Sequence, residues 1–309
     1  MDKNTWDLII VGGGPAGLSA ALLAGRARRR VLVLDAGSPR NRFAAHMHGM
    51  LGNEGTPPAE FLVRARAEVA GYGVEVSEAS VTGVSESESG LVVSVEDGQI
   101  LRCRRLIVAT GVSDDLPDIP GLAERWGKDV LHCPYCHGWE VRDQRFGVIA
   151  TSPFAVHQAQ LVRQWSDRVT FFTRGLVAID DDLAGALASR NVAVDDRPVL
   201  EVVEFDGALA GVRVEGGELI AVDAIFTAGA LRPHDQFLAG LNLDREDGMH
   251  GSVIRVDQTG RTSNPKVWAV GNVTTPPATV PMVIGLGAMA GGAVNADLVA
   301  EDFAVAATA

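Results

Sequence analysis

The alternation of apolar and polar positions predicts a strand, a helix and a second strand at the start of the chain. Residues 8–11 and 31–34 are short apolar runs rich in β-branched side chains, and residues 18–27 between them are rich in alanine and leucine. Apolar runs of this length, separated by a helical segment, are typical of parallel strands with helices on both faces of the sheet. We therefore expect a strand–helix–strand unit of a parallel sheet here.

The same pattern predicts a second unit of this kind further along the chain. A turn-rich, acidic stretch at residues 114–121 precedes it and another turn-rich stretch at residues 243–251 follows it, which is typical of crossings between domains. The other predicted elements are a helix over 59–70, a meander of strands at 74–76, 81–84 and 91–95, a strand at 106–109, a strand, helix and strand at 147–150, 155–165 and 169–173, a helix over 181–190, strands at 199–204, 211–214 and 219–226, a strand at 267–270 and a small-residue helix over 285–300. The pattern predicts an α/β fold with two Rossmann-like domains of the dinucleotide-binding type, the second inserted in the first.

Composition excludes several classes of protein. The chain has 309 residues, 47% apolar and 21% charged, which is typical of a globular protein of two domains. Its 3 cysteines exclude a disulfide-stapled scaffold, and its formal net charge of −12 disfavours nucleic acid and anionic lipid as partners. We find no apolar run of the about 18–20 residues that a membrane span needs, and little chain before the first strand for a signal peptide. We therefore expect a cytoplasmic protein without a membrane partner, in which the basic cluster at residues 26–30 is a solvated helix end.

A glycine motif follows the first predicted strand. Gly12, Gly14 and Gly17 fit the pattern G-x-G-x-x-G, and a predicted helix begins directly after them. Glycines at these spacings allow a tight turn, the approach of a pyrophosphate to the backbone, and close packing of helix on sheet. Asp35, at the end of the second strand, could accept hydrogen bonds from an adenosine ribose. The motif predicts a dinucleotide site, and the alternative is a glycine-rich turn that packs and binds nothing.

A pair of cysteines forms the second candidate site. Cys133 and Cys136 are separated by two residues, and His137 follows directly. Such a pair can close a small disulfide that exchanges with external thiols, and a histidine beside it can take a proton from an incoming thiol. The alternatives are a c-type haem attachment, a zinc site and plain buried thiols, and His132 and His137 could merely solvate the loop. We expect a redox-active disulfide and no metal, with Cys103 as a structural residue.

These features together resemble the low-molecular-weight thioredoxin reductase family over essentially the whole chain. The resemblance rests on the Gly12–Gly17 motif, the Ala109-Thr110-Gly111 strand end, the inserted cysteine pair and Gly271. It implies a thioredoxin reductase-like three-layer ββα sandwich, with FAD held by residues 1–114 and 246–309 and an inserted domain over residues 118–243. Asp35 would bind the ribose, and Gly271-Asn272 stands where the family has Gly-Asp. The residues implied to hold FAD are Gly12, Gly14, Pro15, Ala16, Gly17, Asp35, Arg40, Asn41, His48, Val81, Ala109, Thr110, Gly111, Gly271, Asn272, Met282 and Val283.

The inserted domain departs from the family pattern. A thioredoxin reductase needs a second glycine-rich loop there to hold NADPH, but no glycine follows Gly147 before the predicted helix ends. Pro153 and Phe154 crowd the place where a pyrophosphate would approach the backbone. Arg174 is a single arginine where the family uses a pair. We expect the nicotinamide site to be lost, and the alternative is an unusual working site.

The run Cys133 to Glu140, C-P-Y-C-H-G-W-E, resembles a subgroup, the thioredoxin-reductase-like FAD-dependent dithiol oxidases of the gliotoxin, holomycin and romidepsin type. Residues 39–48 also resemble that subgroup, and the holomycin type is the nearest. The resemblance implies that Cys133 forms the mixed disulfide with a small-molecule dithiol, Cys136 faces the flavin and His137 deprotonates the substrate. Dioxygen would accept the electrons and give hydrogen peroxide, and the protein would be a homodimer.

Two other functions remain open at this point. One is a disulfide reductase that uses NADPH or another electron donor, and the other is a flavin-binding redox sensor without turnover. Three aromatic side chains near the cysteine pair, Tyr135, Trp139 and Phe154, could line a pocket for a small substrate or belong to the core. The sequence does not identify the substrate.

Overall fold

The computed structural model describes residues 5–88, 90–249 and 251–308. The chain divides into two compact units. The first is formed by Met1–Arg42, Pro58–Ser113 and Leu231–Ala309, and the second by Phe43–Pro57 and Asp114–Ala230.

This division differs from the expected domains at two places. Residues 231–243, expected in the inserted domain, lie in the first unit because the 3-10 turn Gln236–Leu241 buries Leu238 in the same apolar cluster as Val84. Phe43–Pro57, expected with the first domain, lies in the second unit. One contact that holds this segment there is made by Gly127, where a Cβ would lie 2.6 Å from the Cβ of Phe43.

Helices and strands alternate in both units. The helices of the described residues are α1 (Pro15–Arg26), α2 (Pro58–Ala70), α3 (Pro134–His137), α4 (Ala155–Val162), α5 (Asp181–Ser189) and α6 (Val280–Thr308). The strands are β1 (Thr5–Val11), β2 (Val31–Asp35), β3 (Glu75–Glu78), β4 (Val81–Ser87), β5 (Gly90–Val95), β6 (Ile100–Val108), β7 (Val112–Asp115), β8 (Val130–Leu131), β9 (Arg145–Ile149), β10 (Arg168–Phe172), β11 (Val192–Asp195), β12 (Val199–Phe205), β13 (Ala208–Val214), β14 (Leu219–Ile220), β15 (Ala224–Thr227), β16 (Ala230–Pro233), β17 (Arg245–Gly248), β18 (Gly251–Ile254) and β19 (Val267–Ala269).

The first unit is built on a sheet of seven described strands in the order β3-β2-β1-β6-β5-β4, with β19 also paired to β6. The central strands β1 and β2 are parallel and almost wholly apolar, because helices cover the sheet. β6 is long enough to pair with two strands along one of its edges. Its first half pairs antiparallel with β5, from Leu91 opposite Cys103, and its second half pairs parallel with β19, from Val267 opposite Leu106.

The predicted meander is correct for only part of its length. β4, β5 and β6 are antiparallel neighbours, but β3 pairs in parallel with β2 at the other edge of the sheet. The reason is that α2 lies between β2 and β3 and forms a crossover, and such a connection produces parallel strands.

Helix α6 packs along α1 through glycines. A Cβ on Gly287 would lie 2.1 Å from the carbonyl oxygen of Ala16, and a Cβ on Gly291 would lie 2.6 Å from that of Ala20. By length and composition alone α6 is long and apolar enough to cross a membrane, although no such segment is expected from the apolar runs of the sequence. Its close packing on α1 accounts for the small apolar residues, and we assign it as a packed helix of the first unit.

The basic cluster at residues 26–30 is not a simple solvated helix end. Arg29 donates to Asp302 at 2.7 Å, and Arg104 donates to the other carboxylate oxygen of the same residue at 2.6 Å. These bonds hold the pKa of Asp302 below its ordinary value, with the Arg29 bond as the largest cause. Arg29 therefore ties the end of α6 to the start of β2, and Arg104 of β6 binds the same acidic residue of that helix.

The second unit contains a parallel sheet of five described strands in the order β11-β10-β9-β15-β8 and an antiparallel sheet in the order β12-β13-β14. Its core includes Phe146, Phe171, Phe172 and Phe226, each 0–1% exposed. The single strand predicted over residues 219–226 is two strands in different sheets. The predicted strand–helix–strand unit is present as β9, α4 and β10.

Candidate active site

The glycine motif forms the turn between β1 and α1 in the first unit. Gly12 has φ of +107°, and a Cβ on it would lie 2.4 Å from the Ala109 carbonyl oxygen. A Cβ on Gly17 would lie 1.9 Å from the Gly12 oxygen. Both positions exclude a side chain because the backbone of neighbouring segments passes too close.

The amino end of α1, which follows this turn, is open and presents free amide donors. The first intrahelical hydrogen bond of α1 runs from Leu18 to the Gly14 oxygen at 3.0 Å, so the amides of Ala16 and Gly17 have no acceptor in the helix. A Cβ built on Gly14 meets nothing within 4 Å, and the first turn of α1 carries no acidic residue. Free amides, open space and the positive end of the helix dipole together suit a diphosphate.

Asp35 lies at the end of β2, where an acidic residue that binds the adenosine ribose is expected. Its carboxylate accepts a hydrogen bond of 2.5 Å from Nη2 of Arg66, and its side chain is 15% exposed. A Cβ on Gly13 would lie 2.7 Å from Oδ2 of Asp35. The acid therefore stands directly beside the glycine turn, with one oxygen oriented by an arginine.

Asn272 organises a second loop of the first unit. Its Nδ2 donates to the carbonyl oxygens of Pro276 at 2.9 Å and Ala278 at 2.8 Å, and Arg40 donates to the same Pro276 oxygen at 3.1 Å. Gly271, beside it, has φ of +82°, and a Cβ there would lie 3.0 Å from the Cβ of Ala16. The loop therefore adjoins α1, and the Asn272 amide makes bonds that an aspartate could not donate.

The other residues implied to hold FAD, apart from His48, are also in the first unit. Thr110 donates to the His234 carbonyl oxygen at 2.6 Å, and Gly111 has φ of +72°. The remaining positions are Pro15 at the first turn of α1, Asn41 in the 3-10 turn Arg40–Phe43, Val81 at the start of β4, Ala109 after β6, and Met282 and the buried Val283 in α6. The open glycine turn, the oriented acid and the adjoining loop fit a flavin dinucleotide.

The cysteine pair lies in the second unit. Cys133 and Cys136 form a disulfide with Cα atoms 5.2 Å apart, and Cys133 is the residue that caps the short helix α3. The amides of Cys136 and His137 both donate to the Cys133 carbonyl oxygen, at 3.1 and 3.2 Å. Gly138 must be glycine, because a Cβ there would lie 2.8 Å from the Trp165 ring. The tight turn thus fixes His137 next to the disulfide.

His137 has an environment that favours its neutral form. Its Nδ1 atom is buried without a hydrogen-bond partner among the described residues. Burial lowers the pKa of His137, the charge of Glu140 opposes this, and the charge of His48 adds to it. A histidine that stays neutral below its ordinary pKa range can accept a proton across the neutral pH range.

His48 lies in the second unit with the disulfide, apart from the other sixteen residues implied to hold FAD. Its Nδ1 is 2.7 Å from Oε1 of Glu54, and its Nε2 is 3.6 Å from Oε1 of Glu140. Neither carboxylate was given a role in the site from the sequence. Glu140 belongs to the motif around the cysteines, so its spacing could have drawn attention to it, but Glu54 is distant in the chain and offered no signal.

The loop between β9 and α4 differs from the glycine turn of the first unit. The Ala155 amide donates to the Ser152 oxygen at 3.1 Å and the Val156 amide to the Pro153 oxygen at 3.3 Å. Donors that would face a pyrophosphate are therefore bonded within the chain. Nη1 of Arg174 donates to the Ala150 carbonyl oxygen at 3.2 Å, at the end of β9.

Three further observations concern the alternatives left open by the sequence. Cys103 is free and buried in β6, and burial raises the pKa of its thiol to about 12, so it stays protonated. Among the described residues no group of three or more histidine, cysteine or acidic side chains could hold a metal ion. Tyr135, Trp139 and Phe154 are 71%, 65% and 44% exposed, so they are not core residues.

The chain matches the description "Pyridine nucleotide-disulphide oxidoreductase" over residues 6–291. The chain belongs to this family. Members of the pyridine nucleotide-disulphide oxidoreductase family are flavin-dependent, so the protein is an oxidoreductase of the thioredoxin-reductase-like type. Its similar curated relatives include thioredoxin reductase tcpT of Claviceps purpurea, 33% identical with 97% of this chain and 96% of that protein covered. Thioredoxin reductase sirT of Leptosphaeria maculans is 28% identical with 97% of each chain covered.

The similarity of the chain to solved structures agrees with this assignment. The chain is similar to the crystal structure of HlmI, with a TM-score of 0.94 and 45% identity, covering 100% of this chain and 97% of HlmI. It is also similar to an oxidoreductase from Agrobacterium tumefaciens, with a TM-score of 0.91 and 40% identity, covering 96% of this chain and 99% of that one. The thioredoxin reductase-like fold and the family predicted from the sequence are confirmed.

Proposed function

We propose that this protein oxidises a small-molecule dithiol to a disulfide through the Cys133–Cys136 pair, with FAD as cofactor and dioxygen as the final electron acceptor. One observation carries the proposal. The loop between β9 and α4 bonds its amides to Ser152 and Pro153 within the chain, while the turn before α1 leaves its own amides open. This contrast supports a flavoprotein that receives its electrons from a thiol substrate rather than from NADPH.

The overall reaction balances as a dithiol and dioxygen giving a cyclic disulfide and hydrogen peroxide. His137 takes the proton of the first substrate thiol, and the thiolate attacks the sulfur of Cys133. The Cys133–Cys136 bond breaks, and Cys136 leaves as a thiolate. The second substrate thiol gives its proton to solvent and attacks the substrate sulfur of the mixed disulfide, which releases the product and the Cys133 thiolate.

The disulfide of the protein must then be restored. FAD, when bound, supplies the two-electron acceptor that dioxygen reoxidises. Cys133 and Cys136 lose two electrons as their bond re-forms, and dioxygen takes up two electrons and two protons to become hydrogen peroxide. His137 carries one of these protons, because its ring beside the disulfide is the base that received it from the substrate.

The chain's own residues would hold the cofactor as follows. The amides of Ala16 and Gly17 would bind the diphosphate, and Asp35 would accept hydrogen bonds from the adenosine ribose. The loop shaped by Asn272 and Arg40 would hold the flavin half. The support for these roles is the open glycine turn, the oriented carboxylate and the contact of Gly271 with Ala16.

The biological setting is part of the same proposal. The net charge of −12 supports a protein without a nucleic-acid or membrane partner. We propose a cytoplasmic homodimer acting on a dithiol of natural-product biosynthesis, because the subgroup that the cysteine motif resembles has these properties. The exposed aromatic residues Tyr135 and Trp139 support a substrate with apolar surface.

A disulfide reductase is the second candidate function. It would take electrons from NADPH or another donor and deliver them to a disulfide substrate. The observation that favours it is the naming of the fungal relatives as thioredoxin reductases. The direction of electron flow separates the two candidates.

The experiment is an aerobic assay of the FAD-bound protein with a panel of small dithiols, including a reduced holomycin-type dithiol. We expect equal amounts of substrate disulfide and hydrogen peroxide. Cys133→Ser should abolish both, whereas Cys103→Ala removes a buried cysteine outside the site and should retain them. A wild-type protein that forms neither product from any dithiol overturns the proposal.

A further inference from the structure

The buried face of helix α2 carries a charged residue. This helix, Pro58–Ala70, buries Leu62 and Val69 against the first unit. Arg66 follows Leu62 by four residues and precedes Val69 by three, so helical spacing puts it on the same face. An apolar side chain ordinarily fills such a position. An arginine there indicates a purpose other than packing, and the reaction steps proposed above do not involve it.

The side chain of Arg66 reaches the end of β2. Its Nη2 donates to Oδ2 of Asp35 at 2.5 Å, and the two side chains are 38% and 15% exposed. The Nε atom of Arg66 is buried without a hydrogen-bond partner among the described residues. A buried donor without an acceptor is unfavourable for folding. The stability of the fold alone therefore does not explain why an arginine occupies this position.

Negative charge collects at the end of the sheet that Arg66 reaches. A Cβ on Gly13 would lie 2.7 Å from Oδ2 of Asp35, so the carboxylate adjoins the glycine turn. Glu78 of β3 is the partner of Asp35 in the parallel register of β2 and β3. The free amides of Ala16 and Gly17, which would bind the diphosphate of FAD, follow the same turn. A cation beside Asp35 reduces the repulsion between its carboxylate and a bound diphosphate.

The hydrogen bond also fixes the orientation of the carboxylate. A carboxylate has two oxygens that only accept hydrogen bonds. With Oδ2 of Asp35 bound to Arg66, Oδ1 can accept from a hydroxyl of the adenosine ribose. A side chain that is already held in its binding orientation loses less conformational entropy when the ligand arrives. Arg66 can therefore strengthen ribose binding without touching the ribose.

We propose that Arg66 is a positioning residue for the adenosine half of FAD and that it acts through Asp35. It holds the carboxylate in the orientation that binds the ribose, and it compensates the negative charge of that carboxylate beside the diphosphate. The inference rests on the proposed function, which assigns the ribose to Asp35.

The test measures the release of FAD from the FAD-bound protein, followed as the rise of flavin fluorescence after dilution. We expect Arg66→Gln to release FAD about tenfold faster than the wild-type protein, the size that the loss of a hydrogen bond between charged groups produces. Arg66→Lys keeps the charge but not the planar guanidinium, so its release rate should be intermediate. An unchanged release rate in Arg66→Gln overturns the inference.

A double variant tests whether Arg66 acts through Asp35. Asp35→Asn should itself release FAD faster than the wild-type protein. Adding Arg66→Gln to Asp35→Asn should then change the release rate by no more than about twofold, because the carboxylate through which the arginine acts is gone. A further tenfold increase in the double variant would mean that Arg66 contacts FAD directly, and this result overturns the inference.

ADP serves as a probe that lacks the flavin half of the cofactor. By isothermal titration calorimetry, ADP should bind flavin-free Arg66→Gln about tenfold more weakly than flavin-free wild type, the same factor as for FAD release. Equal ADP affinity in the two proteins would place the lost interaction outside the adenosine half and overturn the inference.

Arg64→Gln is the matched control, since it removes an arginine of the same helix. The side chain of Arg64 is 49% exposed and lies 3.8 Å from Glu60 in an ion pair on the helix surface. This variant should release FAD at the wild-type rate. The melting temperature of flavin-free Arg66→Gln should stay within about 2 °C of wild type, because a partly exposed ion pair contributes little to stability. A much lower melting temperature would show that Arg66 supports the fold, and the inference would be wrong.

The inference and the proposed function fail in different ways. If the wild-type protein oxidises dithiols but Arg66→Gln releases FAD at the wild-type rate, the role of Arg66 is wrong and the function stands. If the release rates change as expected but no dithiol is oxidised, the function is wrong and the role of Arg66 stands.

Discussion

Arg174 donates a hydrogen bond from Nη1 to the carbonyl oxygen of Ala150, 3.2 Å away at the end of β9. In a Rossmann-like unit, this is the point from which a phosphate-binding loop would continue toward the helix. The guanidinium thus bonds the backbone beside the position where a pyrophosphate would lie. Together with the amide bonds to Ser152 and Pro153, it accounts for our expectation that the inserted unit does not hold NADPH.

This expectation gives the first prediction. Saturating NADPH should leave the melting temperature of the FAD-bound protein unchanged, because a ligand that does not bind the native state cannot stabilise it. A ligand present at about 100 times its Kd would add about 2.7 kcal/mol, a shift that differential scanning fluorimetry resolves easily. Adding FAD to protein stripped of flavin is the positive control and should raise the melting temperature.

The second prediction concerns the open glycine turn. Gly14→Ala should leave the free energy of unfolding of the flavin-free protein within about 1 kcal/mol of wild type, because a Cβ there meets nothing within 4 Å and φ is −78°. It should nevertheless weaken FAD binding about tenfold or more, since the methyl group occupies the approach to the helix amides. Fluorescence titration with FAD measures this.

Gly292→Ala is the matched control for that variant. Gly292 is an exposed glycine in α6 with no atom within 4 Å of a built Cβ. The substitution should stabilise the helix by about 0.5–1 kcal/mol and leave FAD affinity unchanged. Equal FAD affinity in Gly14→Ala and wild type would show that the turn does not hold the diphosphate.

The third prediction concerns Asn272, where this chain departs from the family pattern. Asn272→Asp introduces the residue that the resemblance suggests, but Nδ2 of Asn272 donates to the carbonyl oxygens of Pro276 and Ala278. An aspartate would place a carboxylate oxygen against those acceptors. We expect a loss of about 1–3 kcal/mol in unfolding free energy, measured by chemical denaturation, and Asn272→Ala should lose less. A fully stable Asn272→Asp would show that the loop does not depend on the donated bonds.

The fourth prediction is the pH dependence of turnover. Burial places the pKa of His137 below its ordinary value of 6.5, so the neutral, proton-accepting form persists to lower pH than for a free histidine. Dithiol oxidation should therefore fall to half of its plateau rate only at a pH below 6.5. His137→Gln should lose most of the rate of dithiol oxidation, and its remaining rate should no longer fall in this way at low pH. A half-maximal rate above pH 6.5 in the wild-type protein would contradict the assigned base.

Much of the fold was predictable from local pattern. The strand, glycine turn and helix at Gly12–Gly17, and the pairing of Cys133 with Cys136, depend on residues that are neighbours in the chain. The position of β3 was predicted incorrectly because short strands with the same alternation can pair at either edge of a sheet, and only the crossover through α2 decides which. No local pattern indicated that β6 pairs with both β5 and β19.

The site was less predictable where it depends on distant contacts. The resemblance implies that His48 binds FAD, which stays a prediction, but no pattern indicated that both its ring nitrogens face carboxylates, those of Glu54 and Glu140. The role of Asn272 as a donor to backbone oxygens depends on how residues 275–278 fold, which no spacing rule describes. Burial of the His137 Nδ1 atom likewise results from packing that a linear pattern does not contain.

The central claim is that electrons enter the protein from a dithiol and not from NADPH. Anaerobic reduction of the FAD-bound protein tests this claim most directly. The visible absorbance of the flavin is followed as one equivalent of a small dithiol is added, and a parallel sample receives NADPH. We predict that the dithiol bleaches the absorbance in the wild-type protein but not in Cys133→Ser, and that NADPH leaves it unchanged. Rapid bleaching by NADPH, with none by any dithiol, would contradict the account.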